Sequence, residues 1–318
     1  MCGSPRDRAR GLRIRGGRGV SGTSRALDSG TRLLTPRDIR ALAEERGITP
    51  TKKRGQNFLL DANTVRAIVE RAGVKRDDVV LEVGPGLGSL TLGLLDAGAF
   101  VGAVELDEAL ATLLPSTVAA KQLESSRLAL VHADALALTV LPVPDGAPSA
   151  PTRLVANLPY NVATPILLTI LERFEVITEA LVMVQLEVAE RIAAKSGSKI
   201  YGAPSAKAAW YGSSELAGRI SRRVFWPEPN VDSALVRVRR DRVPAEGEAP
   251  REMVFDVIDH AFLQRRKTLR AALKPWAGSG ERAGAILERA GIDPQRRGET
   301  LAIEEFIAIA NSARAEEG

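Results

Sequence analysis

Three apolar runs in the first half of the chain are each followed closely by a change to glycine or acidic residues. These runs cover residues 79–83, 100–104 and 128–132, and the second and third lead to Glu105 and Asp134. Short apolar runs between turn residues predict buried strands, and the segments between them have helical patterns. Strands that alternate with helices form a parallel sheet covered on both faces, so we expect an α/β fold of the Rossmann-like type.

The pattern continues downstream and then changes character. Residues 153–156 and 180–185 are apolar strand candidates, and residues 164–173 between them have a helical pattern. Apolar residues then alternate with basic or polar ones over 219–224 and 234–238, which is typical of an antiparallel pair of strands. The sequence therefore predicts a mostly parallel sheet with an antiparallel end.

Two further helices are indicated by capping and periodicity. Thr35 followed by Pro36 predicts the start of a helix that runs for about three turns. Residues 187–195 have a second helical pattern, in which Glu187 and Arg191 are spaced for an ion pair one turn apart.

The composition is that of an ordinary globular protein. Hydrophobic residues make up 45% of the 318 residues, and no apolar run approaches the roughly 18 residues of a membrane helix. The single cysteine, Cys2, excludes internal disulfide bonds, and His132 and His260 are too few for a zinc-type cluster. We expect a cytoplasmic protein with no membrane contact and no structural metal.

The first 34 residues differ from the rest of the chain. They are rich in Arg, Gly and Ser and contain eight Arg and two Asp, so their net charge is +6, and the remaining residues carry −1 of the whole-chain net charge of +5. Because they have no apolar periodicity, we predict that residues 1–34 form a disordered basic tail. The alternatives are an organellar transit peptide, a basic nucleic-acid tail, or upstream sequence included by a wrong start codon.

The remaining chain is predicted to divide into two folded parts. Residues 35–240 contain the sheet, residues 241–250 form a polar linker with prolines, and residues 251–318 have helical patterns. The helical part contains a run of five cations without an acid over residues 265–274. On one continuous helix Lys267, Arg270 and Lys274 would share a stripe. That stripe is either a solvated face or a contact for nucleic-acid phosphates.

A glycine-rich loop follows the first predicted strand. Gly84, Gly86 and Gly88 lie between residues 79–83 and a helical pattern that starts at Ser89. In a strand, loop and helix of this kind, the missing side chains allow a ligand to approach the backbone and the N-terminus of the helix.

Acidic residues lie on three successive strands or directly after them. They are Glu82, Glu105 and Asp134, and parallel strands bring their carboxyl ends to one edge of the sheet. Glu105 suits the two hydroxyl groups of a ribose, and Asp134 suits the amine of an adenine. A dinucleotide would place its pyrophosphate at this loop, whereas three acids favour a ligand without phosphate and with positive charge. S-adenosylmethionine, which carries a sulfonium, fits this description.

A short polar and aromatic segment, Asn157-Leu158-Pro159-Tyr160, ends the strand at residues 153–156. The Asn157 side chain and the Leu158 carbonyl offer two acceptors to an exocyclic amine, and Pro159 fixes the turn. Tyr160 can stack on a flat ring, which is worth about 1–3 kcal/mol per base. The alternative interpretation is an ordinary strand that ends in an Asn-Pro turn.

Residues 52–59, which we name the flap, form a basic loop that contains a glycine. The simpler interpretation is a solvated run of charge before a helix. The functional interpretation is a loop that carries cations for phosphate and polar groups for a ligand.

Taken in order, these segments resemble the ribosomal RNA adenine N6-dimethyltransferases, and in particular those of the small-subunit (16S) RNA. The resemblance covers residues 50–301. The matching motifs are Gly55-Gln-Asn-Phe-Leu59, Glu82-Val-Gly-Pro-Gly-Leu-Gly88, Glu105-Leu-Asp107, His132-Ala-Asp134, Asn157-Leu-Pro-Tyr160, Met183-Val-Gln-Leu-Glu-Val-Ala-Glu-Arg191, Phe225-Trp-Pro-Glu-Pro-Asn-Val-Asp-Ser233 and Phe262-Leu-Gln-Arg-Arg-Lys-Thr-Leu-Arg270.

The resemblance implies an S-adenosylmethionine-dependent enzyme that adds two methyl groups to each of two adjacent adenines near the 3′ end of the small-subunit RNA. It implies the assembling 30S subunit as partner, and no motif requires more than a monomer. By resemblance Phe225 stacks on the target base opposite Tyr160. The implied cofactor contacts are Asn57, Leu59, Gly84, Gly86, Glu105, Asp134 and Asn157. The predicted RNA contacts are Lys52, Lys53, Arg54, Arg222, Arg223, Arg265, Arg266, Lys267, Arg270 and Lys274.

Three other functions remain open on the sequence. A large-subunit (23S) adenine methyltransferase of the macrolide-resistance type shares the cofactor pocket and a similar Asn-x-Pro-Tyr segment. An RNA-binding assembly factor without activity would share the fold. An NAD-dependent dehydrogenase would explain the glycine loop but leaves residues 157–160 without a role.

Overall fold

The computed structural model describes residues 27–28, 30–48 and 56–316. A seven-stranded sheet lies at the centre of the sheet-containing part, and a separate pair of short strands lies beside it. The strands are β1 (Phe58–Leu59), β2 (Val79–Val83), β3 (Phe100–Glu105), β4 (Leu128–His132), β5 (Arg153–Asn157), β6 (Glu179–Gln185), β7 (Ser214–Ile220), β8 (Phe225–Trp226) and β9 (Ser233–Arg239).

The strand order of the large sheet is β4-β3-β2-β5-β6-β9-β7. The first five strands are parallel, whereas β9 is antiparallel to both β6 and β7. The predicted antiparallel end is therefore confirmed. Its first strand lies earlier than predicted, because β7 ends at Ile220 and residues 222–224 form a 3-10 turn.

Helices cover both faces of the sheet and form the C-terminal part. They are α1 (Pro36–Glu45), α2 (Ala62–Arg71), α3 (Ser89–Asp96), α4 (Glu108–Ala120), α5 (Ala163–Arg173), α6 (Leu186–Ile192), α7 (Ala203–Tyr211), α8 (Arg251–Leu263), α9 (Leu269–Ala272), α10 (Lys274–Ala277), α11 (Gly280–Arg289) and α12 (Ile303–Arg314). None of the helices in the described part of the chain combines the length and the apolar character needed to cross a bilayer.

The two faces of the sheet bury separate apolar clusters. Successive side chains of a strand point to opposite faces, so Val80 packs with α1 to α4 while its neighbour Leu81 packs with α5 to α7. Both faces are covered, and for this reason the parallel strands are continuous apolar runs instead of alternating ones.

The N-terminal boundary of the folded part lies earlier than the sequence predicted. Leu33 and Leu34 are buried in the first cluster, so the prediction of disorder is wrong for this end of the segment. A buried ion pair joins α1 to the end of α4, since Lys121 Nζ lies 2.8 Å from Asp38 Oδ2. The same ammonium donates to the carbonyls of Asp28 and Thr31. Residues 1–26 and 29 lie outside the described residues.

The C-terminal helices have their own core and are joined to the sheet by contacts along α7. Trp210 on α7 packs against both the second and the third apolar clusters. The predicted linker is held at its end, because the Ala249 amide donates to Asn311 Oδ1 at 2.6 Å.

The continuous helix predicted over the five cations is wrong. α8 ends at Leu263, and residues 264–268 form turns before the single turn of α9. The backbone amides of Leu269 and Arg270 donate to the carbonyls of Arg296 and Pro294. These long-range bonds replace the helical bonds, so the cations do not share one helical stripe.

Candidate active site

A cavity of about 560 Å³ opens at the carboxyl ends of β2 to β5. Four segments and the end of the flap form its wall: residues 84–87, 105–107, 133–136 and 157–159. The structure thus brings together all the predicted cofactor contacts, namely Asn57, Leu59, Gly84, Gly86, Glu105, Asp134 and Asn157. Their individual roles stay predictions.

The glycine loop has a backbone that side chains would strain. Gly84 and Gly86 have φ values of 71° and 59°, in the left-handed region. A Cβ atom at Gly86 would lie 3.1 Å from the ring of Phe58. The loop can therefore pass beneath the flap only because these positions carry no side chain.

Glu105 holds the glycine loop and faces the cavity. Its Oε2 accepts from the Gly86 amide at 3.0 Å, and its Oε1 accepts from the Asp107 amide at 2.9 Å. Burial raises the pKa of Glu105, and the two amides act in the opposite direction. Each carboxylate oxygen has more than one lone pair, so the group can accept further bonds from two adjacent hydroxyls.

Glu82 differs from the sequence prediction in its charge. The side chain is 1% exposed, and Thr91 Oγ1 donates to its Oε2 at 2.7 Å. Burial raises the pKa of Glu82 to about 8, and the nearby carboxylate of Glu105 adds to the rise. At neutral pH the Glu82 side chain is mostly protonated, so it does not add a negative charge to the cavity.

Replacing Glu82 by glutamine should remove a pH dependence of stability. The folded pKa of about 8 lies above the ordinary value of 4.5, so the folded protein binds one proton more than the unfolded chain between these limits. The contribution of Glu82 to stability is therefore fully present below pH 4.5 and falls through this window by up to about 1.4 kcal/mol per pH unit. Glutamine copies the protonated acid. Thermal unfolding at pH 5 and pH 8 should show a smaller loss for Glu82→Gln than for the wild type, and equal losses would contradict the assignment.

Asp134 lies on a turn that a distant arginine supports. The Asp134 side chain accepts from the Leu136 amide at 2.9 Å. Arg173, at the end of α5, donates to the carbonyls of Leu136 at 2.6 Å and Leu138 at 3.1 Å. Arg173 was not predictable from the sequence, because nothing in a helix-terminal arginine indicates that it supports a turn more than 30 residues away.

Asn157 has one partnered and one unpartnered polar atom. Its Nδ2 donates to the carbonyl of Asn57 at 3.0 Å, which fixes the orientation of the amide and ties the flap to β5. Its Oδ1 is buried and has no hydrogen-bond partner within the described part of the chain. A buried acceptor without a donor costs about 1–3 kcal/mol, so this atom is suited to a ligand that carries an N–H group.

The turn after Asn157 is held by its neighbours. The Leu158 amide donates to the Met183 carbonyl on β6 at 3.1 Å. A Cβ atom at Gly84 would lie 3.6 Å from Pro159 Cδ. The turn therefore packs directly on the glycine loop, and Leu158 and Pro159 line the same cavity.

Tyr160 is held by a residue of the antiparallel end. Its hydroxyl lies 2.6 Å from Ser233 Oγ on β9, and Ser233 is fully buried. Burial raises the pKa of Tyr160, so the phenol stays neutral at physiological pH. Ser233 was not predictable as a partner from the sequence, because the two residues are 73 positions apart.

Phe225 does not present its ring to the cavity. It is 2% exposed, and its strand β8 pairs with β1 so that Phe225 lies opposite Leu59. The small β1–β8 sheet thus holds the end of the flap against β8. Stacking of a base between Tyr160 and Phe225 stays a prediction, and it requires the Phe225 ring to become more exposed.

Replacing Ser233 by alanine should weaken the reaction without weakening cofactor binding. The change removes the bond that fixes the Tyr160 ring, while the cavity wall is unaltered. We expect a loss of about tenfold in kcat/KM for RNA, which corresponds to one hydrogen bond of ordinary strength. Tyr160→Phe removes the same bond from the other side, so it should give a similar loss. A large loss for one variant alone would show that the bond does not position the ring.

The predicted RNA contacts are spread over three regions. Lys52, Lys53 and Arg54 lie outside the described residues. Arg265 pairs with Glu299 at 2.8 Å and Arg270 donates to the Gly280 carbonyl at 3.0 Å. The side chains of Arg222, Arg223, Arg266, Lys267 and Lys274 are exposed.

Comparison with known proteins identifies the family. The family model described as ribosomal RNA adenine dimethylase matches residues 49–315. The chain belongs to the ribosomal RNA adenine dimethylase family. A protein named ribosomal RNA small subunit methyltransferase A from Streptomyces griseus subsp. griseus is 60% identical over 279 residues, 87% of this chain and 94% of that protein. One of the same name from Thermobifida fusca is 58% identical over 280 residues, 88% of this chain and 96% of that protein.

Two solved structures share this fold. A dimethyladenosine transferase from Plasmodium falciparum superposes with a TM-score of 0.62 at 21% identity, over 79% of this chain and 95% of that chain. The 23S rRNA methyltransferase ErmE gives a TM-score of 0.58 at 27% identity, over 81% of this chain and all of that one.

Membership of the dimethylase family confirms three predictions from the sequence. The fold is a Rossmann-like methyltransferase sheet, the protein is an rRNA adenine methyltransferase, and its cofactor is S-adenosylmethionine. The cavity fits this cofactor, since it combines a glycine loop, the Glu105 carboxylate and an unpartnered acceptor at Asn157.

Proposed function

We propose that this protein dimethylates the N6 amines of two adjacent adenines near the 3′ end of small-subunit (16S) ribosomal RNA. The small-subunit substrate is supported by the names of the relatives with 56–60% identity. The adenine amine is supported above all by the buried, unpartnered Oδ1 of Asn157. The proposal includes the assembling 30S subunit as the partner, a monomeric enzyme and a cytoplasmic location.

The chemistry requires an acceptor at this position. The lone pair of the adenine amine is delocalised into the ring, which makes the amine a poor nucleophile. Asn157 Oδ1 can accept one amine hydrogen, and the Leu158 carbonyl can accept the other. Holding both hydrogens turns the lone pair out of conjugation and towards the methyl donor. Rate enhancement then comes from positioning and electrostatics, without an ionised base.

The remaining residues hold the two reactants in place. S-adenosylmethionine, when bound, supplies a methyl group on a positively charged sulfonium. The Glu105 carboxylate would accept hydrogen bonds from the ribose hydroxyls of the cofactor. Asp134 would accept a hydrogen bond from its adenine amine. The target base must leave its stack to enter the cavity, and Tyr160 offers a ring face that replaces part of the lost stacking.

A large-subunit adenine methyltransferase is the second candidate. It is suggested only by the structural likeness to ErmE at 27% identity. The small-subunit proposal is preferred because relatives of much higher identity carry the small-subunit name over nearly their whole length.

The deciding experiment is methyl transfer from labelled S-adenosylmethionine to undermethylated small and large ribosomal subunits in parallel. Mass spectrometry would then identify the modified nucleotide. We expect dimethyladenosine in the small subunit only. Label in the large subunit would favour the second candidate, and cofactor binding without transfer to either subunit would refute the catalytic proposal.

A further inference from the structure

A second cavity, of about 590 Å³, lies beside the active site and has no role in the mechanism above. We name it the flanking groove. It lies between the start of α6 and the segments on either side of β8, and its wall carries Glu187, Glu190, Arg222, Arg223 and Asp232. Unlike the cofactor cavity, it combines acceptors and cations without a glycine loop.

The flanking groove lies on the same edge of the sheet as Asn157. Asp232 directly precedes Ser233, the partner of Tyr160, and the Leu186 amide donates to the Asp232 carbonyl at 3.0 Å. β5, β6 and β9 are neighbours and β9 is antiparallel, so the start of β9 lies about 10 Å from the end of β5, at about 4.8 Å per strand. The nucleotide next to the target nucleotide in the RNA chain can therefore reach the groove.

The cations of the groove differ in how they are held. The backbone amide of Arg222 donates to Asp232 Oδ1 at 3.0 Å. The guanidinium of Arg222 pairs with Glu228 at 3.0 Å and donates to the Asn230 carbonyl. Arg223 is exposed, and within the described part of the chain it forms no ion pair. One guanidinium is thus fixed in place, and the other can turn towards an incoming anion.

The acids of the groove supply acceptors. The ion pair predicted between Glu187 and Arg191 is absent from the described residues, and Glu187 is exposed at the groove. Glu190 pairs with Arg219 at 3.4 Å and is only partly exposed. Carboxylates accept hydrogen bonds but cannot donate them, so they suit the exocyclic amine of a base and not a carbonyl.

We propose that the flanking groove binds the nucleotide next to the target adenine, with its phosphate at Arg222 and Arg223 and the amine of its base at Glu187 and Glu190. This rests on the proposed function. The groove would select a neighbour that bears an amine, as adenine does, and would reject a base that has a carbonyl at that position. It would act as a specificity site for the sequence around the target.

The test uses small subunits reconstituted with RNA in which one of the two adjacent adenines is replaced by inosine. Inosine keeps the ring but has a carbonyl where adenine has its amine. For one of the two inosine RNAs, we expect the wild-type enzyme to methylate the remaining adenine with kcat/KM lower by about tenfold than in unmodified subunits. In the Glu187→Gln, Glu190→Gln double variant, kcat/KM on this inosine RNA should be only about twofold lower than on unmodified subunits. The reason is that glutamine amides can donate to the inosine carbonyl.

Two single variants serve as companions. Arg223→Ala should lower kcat/KM to a similar extent on all three RNAs, since a phosphate contact carries no base information. Arg76→Ala is a matched control, because Arg76 is an exposed arginine at the opposite edge of the sheet, before β2, and it should change none of the rates.

Equal wild-type rates on both inosine RNAs and on unmodified subunits would overturn the proposal. The proposal would also be overturned if the double variant kept the same tenfold ratio of kcat/KM between unmodified and inosine-containing subunits. The groove would then contact another part of the RNA or a ribosomal protein. If the wild type transfers no methyl group to unmodified small subunits, the proposed function itself fails, and this inference fails with it.

Discussion

Asn157→Ala should lower kcat by about 100-fold or more while leaving cofactor affinity within a few-fold of the wild type. The variant removes the buried Oδ1, which has no hydrogen-bond partner among the residues that the structure describes. An acceptor that acts only when the amine is activated contributes to the transition state, and loss of one such group typically costs about 10²–10³ in kcat. Single-turnover methyl transfer with saturating subunits, together with calorimetric binding of S-adenosylhomocysteine, measures the two quantities separately.

Asn157→Asp is the matched control for this prediction. Aspartate keeps an acceptor near the Oδ1 position but cannot donate to the Asn57 carbonyl, to which Nδ2 is bonded at 3.0 Å. Both variants lose this bond, but aspartate also places a carboxylate oxygen against the Asn57 carbonyl, where two acceptors repel each other. We therefore expect kcat to fall less than in the alanine variant and cofactor binding to weaken more. Comparable losses of kcat and cofactor affinity in Asn157→Ala would contradict the assigned role.

The main features of the site were predictable because they depend on sequence order. Parallel strands bring their carboxyl ends to one edge, so the alternation of strands and helices along the chain was enough to place Glu105 and Asp134 together. The glycine loop was predictable for the same reason, since a strand, a loop and a helix follow one another without interruption. Asn157 was predictable from the chemistry of an amide next to a proline turn.

Features that depend on tertiary contacts were not predictable. The charge of Glu82 follows from its complete burial and its bond to Thr91, and a sequence shows neither. The end of α8 was missed because the amides of Leu269 and Arg270 bond to carbonyls from a distant loop. Local helical propensity is a weak prior, and long-range hydrogen bonds override it.

The groove beside the active site shows the same limit. Glu187 and Arg191 have the spacing of a helical ion pair, and that spacing alone led to a structural interpretation. In the structure Glu187 faces the flanking groove with the cations of residues 222–223. Those residues come from a turn that lies more than 30 positions later, so only the fold brings the two signs of charge together.

Glu105→Ala should weaken cofactor binding by about 100-fold and have little effect on kcat at saturating cofactor. The carboxylate would bind the ribose and also accepts from the amides of Gly86 and Asp107. Hydrogen bonds to a charged group are worth about 1.5–3 kcal/mol, and 100-fold corresponds to about 2.7 kcal/mol. Glu105→Gln keeps one acceptor oxygen and should lose only about tenfold.

A modified ligand separates ribose binding from support of the loop. The 2′-deoxy analogue of S-adenosylhomocysteine should bind the wild type more weakly than the parent compound, because Glu105 loses a hydroxyl partner. The Glu105→Ala variant should bind both compounds with the same affinity, since it has no carboxylate to discriminate between them. If the variant still prefers the parent compound by the wild-type factor, Glu105 acts only by holding the glycine loop. Thermal unfolding of the variant then measures that contribution, which we expect to be about 1–3 kcal/mol for each amide left without a partner.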